Sequence, residues 1–184
     1  MNLSVRNGEG EYAKIALEGS FDAAGGTGFT GKGGVTVVRD NQLFAVDAYS
    51  FWLKQGGGAT AHINQNTLEK IDGQVPFMVK DGSPAPLIQG SVNGTYDPNT
   101  GQITGTGAVY LGRTLDYDLG GGVQLKLLEG SGGNADVKES KLERLGGVLK
   151  AEIWKDGNGV VRVEANGEYN VVTNDLTRLQ GTAT

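Results

Sequence analysis

Cysteine is absent from the chain, which removes disulfides, thiolate nucleophiles and cysteine metal sites together. Histidine is nearly absent: His62 stands alone, so zinc and copper sites of ordinary composition are not expected. A Ser-His-Asp triad would rest on that one residue, and no GxSxG element is there to carry its nucleophile. No apolar run approaches the roughly 20 residues of a membrane-spanning helix, and the first 14 residues, MNLSVRNGEGEYAK, lack the apolar centre of a signal peptide. Positive charge is in deficit, with 16 Lys and Arg against 21 Asp and Glu. The net charge of -5 and pI near 4.9 repel phosphate backbones, and no basic cluster overrides this locally, so nucleic acid is not an expected partner. Proline, with four residues, is too scarce for a collagen-like chain, and the glycines follow no Gly-X-Y period.

What the chain has instead is glycine, 32 in 184 residues, more than twice the average of about 7%. Hydrophobic residues at 38% are enough for a core, and the length suits one domain spanning 1–184. Alternation is the dominant pattern. Ala13, Ile15, Leu17, Gly19 and Phe21 share one face of a strand and Tyr12, Lys14, Glu18 and Ser20 the other. A glycine-dense turn at 23–28 leads to a return strand through Phe29, and a third strand follows at 34–39. The segment 42–54 (QLFAVDAYSFWLK) is apolar on both faces, which predicts one strand covered on both sides. Strands are expected at 59–64 and 75–80, with 66–72 ambiguous between them. The loop DGSPAP at 81–86 then separates two halves of related pattern. Strands continue at 87–97, 103–112 and 114–128, the last broken or bulged at Gly120-Gly121-Gly122. One helix is predicted at 135–145, with Asn134 as cap, Asp136 in the first turn, Arg144 in the last and Gly146-Gly147 as its stop. A hairpin through Asp156-Gly157-Asn158-Gly159 and a closing strand at 176–182 end the chain.

The stretch 93–107, NGTYDPNTGQITGTG, writes a hairpin in plain turn chemistry, and related stretches begin at Gly19 and Asn166. Gly19 with Phe21, Gly94 with Tyr96 and Gly167 with Tyr169 each lie two apart, on one face of a strand. Glycine there leaves a gap that a ring can cover and allows the coiling a curved sheet needs. The small alphabet of good turns accounts for the likeness without duplication, and that explanation is preferred here. The expected fold is an all-β antiparallel meander of roughly ten to twelve strands, closed as a barrel or strongly coiled as a two-sheet sandwich, with the one short helix. Lipocalin-like and avidin-like barrels and many bacterial surface domains share this glycine-bent look, a likeness of fold pattern only.

Few residues offer chemistry. Asp47 sits within the most apolar stretch, so burial would raise its pKa or demand a partner; a structural hydrogen bond explains it as well as a site does. His62 as a base would need an orienting carboxylate such as Asp47 or Asp72, and a strand histidine is its plainer reading. Asp116 and Asp118 share a strand face, most simply an exposed one. Asp156-Gly157-Asn158-Gly159 is a turn rather than a calcium loop, and the glycine clusters at 25–28 and 31–34 open onto no helix, so phosphate binding is unsupported. The leading functional expectation is a non-enzymatic binding module that holds a small apolar or aromatic molecule in a barrel cavity. Tyr49, Trp52 and Tyr96 would wall it and Asp47 or His62 anchor it, without cofactor or metal. Two alternatives stand beside it: a small β-barrel enzyme of cyclase or isomerase type, and a structural or adhesive surface domain that forms homo-oligomers through an exposed strand edge. An extracytoplasmic location, with a leader removed, is favoured over the cytoplasm.

Overall fold

The computed structural model describes residues 1–8, 10–22 and 28–184. Fifteen strands form one antiparallel sheet, and the described residues contain no helix. β1 (Asn2–Asn7) and β2 (Gly10–Asp22) lead to β3 (Gly28–Val37), the hairpin of β4 (Asn41–Val46) and β5 (Tyr49–Leu53), then β6 (Gly58–Asn64) and the long β7 (Thr67–Lys80). The order then recurs. β8 (Ile88–Asp97) and β9 (Gln102–Leu111) lead to the hairpin of β10 (Leu115–Gly120) and β11 (Val123–Leu127), then β12 (Gly132–Lys138) and the long β13 (Lys141–Lys155). β14 (Asn158–Asn170) and β15 (Asp175–Ala183) follow.

Each long strand is a fork. The first half of β7 pairs with β6 and its second half with β5, while β8 runs along its other side. β13 does the same with β12, β11 and β14. From β3 to β7 equivalent residues differ by 74 in number, as Gly58 and Gly132 do, while Gly19 and Gly94 differ by 75 and Gly94 and Gly167 by 73; the correspondence reaches single hydrogen bonds. Val37 N donates to Gly57 O at 2.7 Å and Leu111 N to Ser131 O at 2.7 Å. Gln65 N donates to Thr30 Oγ1 at 3.1 Å and Glu139 N to Thr104 Oγ1 at 3.2 Å. Gly19, Gly94 and Gly167 lie on β2, β8 and β14, the first strands of successive units, so the three sequence stretches mark a true structural repeat. The sequence repeats too: Thr30, Gly31, Gly33, Val35, Arg39 and Gly58 recur as Thr104, Gly105, Gly107, Val109, Arg113 and Gly132.

The predicted helix at 135–145 is a correction. Those residues form the end of β12, a tight turn and the start of β13, because Glu139 and Ser140 take φ of 49° and 62° and reverse the chain. The apolar residues Ala135 and Val137 then alternate along β12 and pair with Leu145 and Leu142, which a bulge in β13 brings to the same face, so they form no helical stripe. The segment 42–54 is likewise a hairpin and not one strand. Asp47, at φ 52°, turns the chain, so residues of opposite parity meet on one face: Phe44 and Phe51 stack at 4.6 Å. Its apparent two-sided apolarity is one apolar face written twice. The ambiguous stretch 66–72 starts β7.

The sheet is not closed. β1 pairs only with β2 and β15 only with β14 among the described residues, which leaves the expected barrel closure without support. The turn expected at 23–28 and the glycine cluster at 25–28 lie, apart from Gly28, outside the described residues. Glycine lets rings close over the sheet as expected, but from across the ladder: a Cβ on Gly90 would meet the Phe77 ring at 2.4 Å, and one on Gly19 the Phe29 ring at 2.6 Å. Few side chains are buried, among them Ala13, Val37, Met78, Val79 and Ala151.

Candidate functional site

Paired residues in an antiparallel ladder share a face, and so do residues two apart. Following that rule from strand to strand separates the side chains sharply. One ladder runs Leu17, Gly33, Ala61, Ile71, Tyr96, Ile103. Another runs Val75, Val92, Gly107, Ala135, Leu145, Tyr169. Their neighbours on the opposite face are polar: Thr36, Gln74, Asn93, Thr106, Asp136 and Arg144 lie across one such row. One face is therefore apolar and the other hydrophilic.

The five residues singled out in the sequence do not converge. Asp47 lies in the exposed turn of β4–β5. Tyr49 and Tyr96 stand on the apolar face, 46% and 37% exposed, on different strands. Trp52 points to the polar face, where Lys80 Nζ lies 4.7 Å from its ring centre and Ser50 Oγ accepts its Nε1–H at 2.9 Å. His62 is also on the polar face, with Nε2 2.8 Å from Asp72 Oδ2. Lys70 reaches the same oxygen at 2.8 Å and Thr95 donates its hydroxyl to Oδ1 at 2.8 Å. Those contacts, Lys70 foremost and then Thr95, hold the Asp72 carboxyl below the ordinary carboxylate value. Asp72 is thus a partnered anion fixed by its own sheet, a poor acid or base. Asp116 and Asp118 lie on the polar side of β10, and Asp118 Oδ1 accepts the Gly120 N–H at 2.8 Å. No group of three or more metal-ligating side chains occurs among the described residues.

The feature that sequence reasoning missed is the extent of the apolar face. Among the described residues, twenty-five large apolar side chains stay at least a third exposed, and about twenty of them fall on this one face by ladder register. They include Phe21, Val92, Ile103, Leu145, Ile153 and Leu179, drawn from both repeats. Between them glycines floor shallow hollows. One of about 480 Å³ lies over Gly107, Gly133 and Ala135, with Phe77, Val92, Val109 and Leu145 around it. A second, also about 480 Å³, lies over Gly147 and Gly167, beside Leu149 and Leu179. The signal is present in the alternation of the strands, whose apolar faces a closed barrel or a two-sheet sandwich would turn inward. No described helix is long and apolar enough to cross a membrane.

Comparison with known proteins finds no matching family model, curated protein or solved structure.

Proposed function

We propose that the chain is a non-enzymatic structural domain, a repeat-built β-sheet that holds to other protein through its apolar face. The observation that carries this reading is the face itself: a single layer exposing apolar side chains across both repeats. A water-exposed surface of 11509 Å² compares with about 8,400 Å² for a compact monomer of this mass. The excess, about 3,000 Å², is the size of surface that proteins cover on association. The two hollows are open on one side, whereas a small-molecule site encloses most of its ligand, so the surface suits a broad partner better than a small apolar ligand. The second layer of the expected two-sheet sandwich belongs here as well, supplied by the partner. The acid and base that the sequence offers on the polar face, Asp72 and His62, are bound to each other, and that pairing favours a non-enzymatic reading.

The test uses the cysteine-free background, in which a single introduced thiol is labelled cleanly. Leu145→Cys on the apolar face and Thr106→Cys on the polar face receive a polarity-sensitive fluorophore. The Leu145 label is expected to pass from a wet to a dry emission as concentration rises or as an apolar bead surface is offered, with the Thr106 label wet throughout. A Leu145 label that is dry at every dilution, in a chain of monomer mass, would mean that the sheet covers its own face, and would overturn the proposal.

A further inference from the structure

The area and chemistry of the apolar face identify its occupant. We infer that a second copy of this chain lies face to face on it, making a two-sheet sandwich of two chains; this deepens the structural reading above and rests on it. About twenty side chains, each near half exposed, present on the order of 1,500–2,000 Å² per copy, against about 800 Å² per partner in an ordinary stable interface. Covering that area removes most of the excess surface of the isolated chain.

The face is suited to its own likeness. Away from strand ends and bulges, ladder register places only apolar residues and glycine on it, so a like face brings no unpaired charge into the interface. Its relief is self-complementary in kind, with glycine-floored hollows beside projecting Val92, Leu145 and Leu179 side chains in the second repeat and the β14–β15 pair that follows it. Two copies of one twisted sheet share the same twist, the condition for aligned packing at about 10 Å separation. Lipid is the weaker occupant, because β1 and β15 each have one strand partner among the described residues, an edge strand presents backbone polar groups along its open side, and a bilayer core satisfies none of them. In a sandwich those edges remain at the wet rim.

Sedimentation equilibrium of the whole chain at micromolar concentration tests this. The expected mass is twice the chain's 19.2 kDa. Val92→Glu with Leu145→Glu should weaken the dimer by about 100-fold or more, while far-ultraviolet circular dichroism keeps the strand signal. The edge control is Ala183→Pro. Thr184 N donates to Arg162 O at 3.0 Å, so the N–H of Ala183 points to the open side of β15, and this variant should dimerise like the parent. A dimer lost in Ala183→Pro and kept in the glutamate variant would be an edge dimer and would overturn the proposal. A monomer whose Leu145 label is wet and which takes up an apolar bead surface would overturn the second copy while leaving the structural reading standing. A monomer that floats with phosphatidylcholine vesicles would overturn the second copy in favour of lipid. A monomer with a dry label would remove both readings.

Discussion

Ser131 Oγ accepts the backbone N–H of Lys150 at 2.9 Å and donates to the carbonyl of the same residue at 3.0 Å. Ser131 is 7% exposed and sits where β13 passes from one partner strand to the next, a point at which the ladder supplies no acceptor. At the same place in the first repeat stand Gly57 and Pro76. Pro76 has no N–H to satisfy, and a Cβ on residue 57 would come within 3.1 Å of its ring. The two repeats thus solve one hydrogen-bonding problem in two ways, by supplying an acceptor or by removing the donor.

Ser131→Gly should therefore destabilise the chain by roughly 1–3 kcal/mol, the cost of a buried unsatisfied donor. Adding Lys150→Pro to it should recover most of that loss, while Lys150→Pro alone should fail because the proline ring meets the serine side chain. Urea unfolding of the three variants checks this. Additive losses in the double variant would show that the two positions are not coupled.

A second pair is exchanged between repeats. Lys80 Nζ lies 4.7 Å from the Trp52 ring centre, and Lys126 Nζ lies 4.0 Å from that of Trp154. Residues 52 and 126 are equivalent, as are 80 and 154, so cation and ring have changed places across the same diagonal of the fork. Lys80→Gln is expected to cost roughly 0.5–1 kcal/mol, the size of an exposed cation–π contact. Trp52→Lys should cost more by setting two lysines together. The exchanged variant carrying both Trp52→Lys and Lys80→Trp should return close to the parent in denaturant midpoint, and a double variant no better than its worse single would refute the coupling.

How much of this was legible depended on whether the signal was local. Alternation gave the strands, and turn residues such as Asp156-Gly157 gave hairpins, because both act within a few residues. The misread segments share one cause: Glu139-Ser140 and Asp47-Ala48 are tight turns without the glycine or proline that marks most turns. Glu139 and Asp47 take positive φ at the ends of paired strands, where the ladder on either side fixes the reversal. The repeat was visible as three glycine-aromatic stretches, yet its proof lies in long-range pairing such as Thr30 with Gln65, which alternation cannot encode. The apolar face was written in every strand. Whether it faces inward or outward depends on sheet closure, and that is set by which edges meet.

The turn at 139–140 offers a gain in stability. Ser140, at φ 62°, accepts the Ile103 N–H through Oγ at 3.0 Å; the equivalent Asn66, at φ 66°, accepts the Phe29 N–H through Oδ1 at 2.8 Å. Asparagine tolerates this left-handed backbone better than serine and keeps the acceptor. Ser140→Asn should stabilise by roughly 0.5–1 kcal/mol, the lower end of what a single optimised position yields, and the reverse change Asn66→Ser should destabilise by a similar amount. Thermal midpoints moving the same way for both would contradict the equivalence of the two turns.

Acid should loosen the joint between the repeats. Arg113, two residues beyond β9, donates from Nη1 to Asp81 Oδ1 at 3.0 Å and reaches Oδ2 with Nη2, tying the 81–87 loop to the second unit. The guanidinium, with the backbone N–H of Ser83, holds the Asp81 carboxyl at a pKa of about 2. A folded-state value below that of the unfolded chain contributes stability in full above the ordinary carboxylate value of about 4. The contribution is lost as pH falls through the folded value. Asp72 and Asp97, also held low, Asp97 chiefly by the Asn99 N–H, act in the same direction. The parent chain should therefore lose urea resistance progressively between about pH 4 and pH 2. Asp81→Asn should start lower at neutral pH and fall less steeply across that window, since it has one fewer carboxylate to protonate. Parallel curves for the parent and Asp81→Asn would show that the Arg113 contact contributes nothing to the joint.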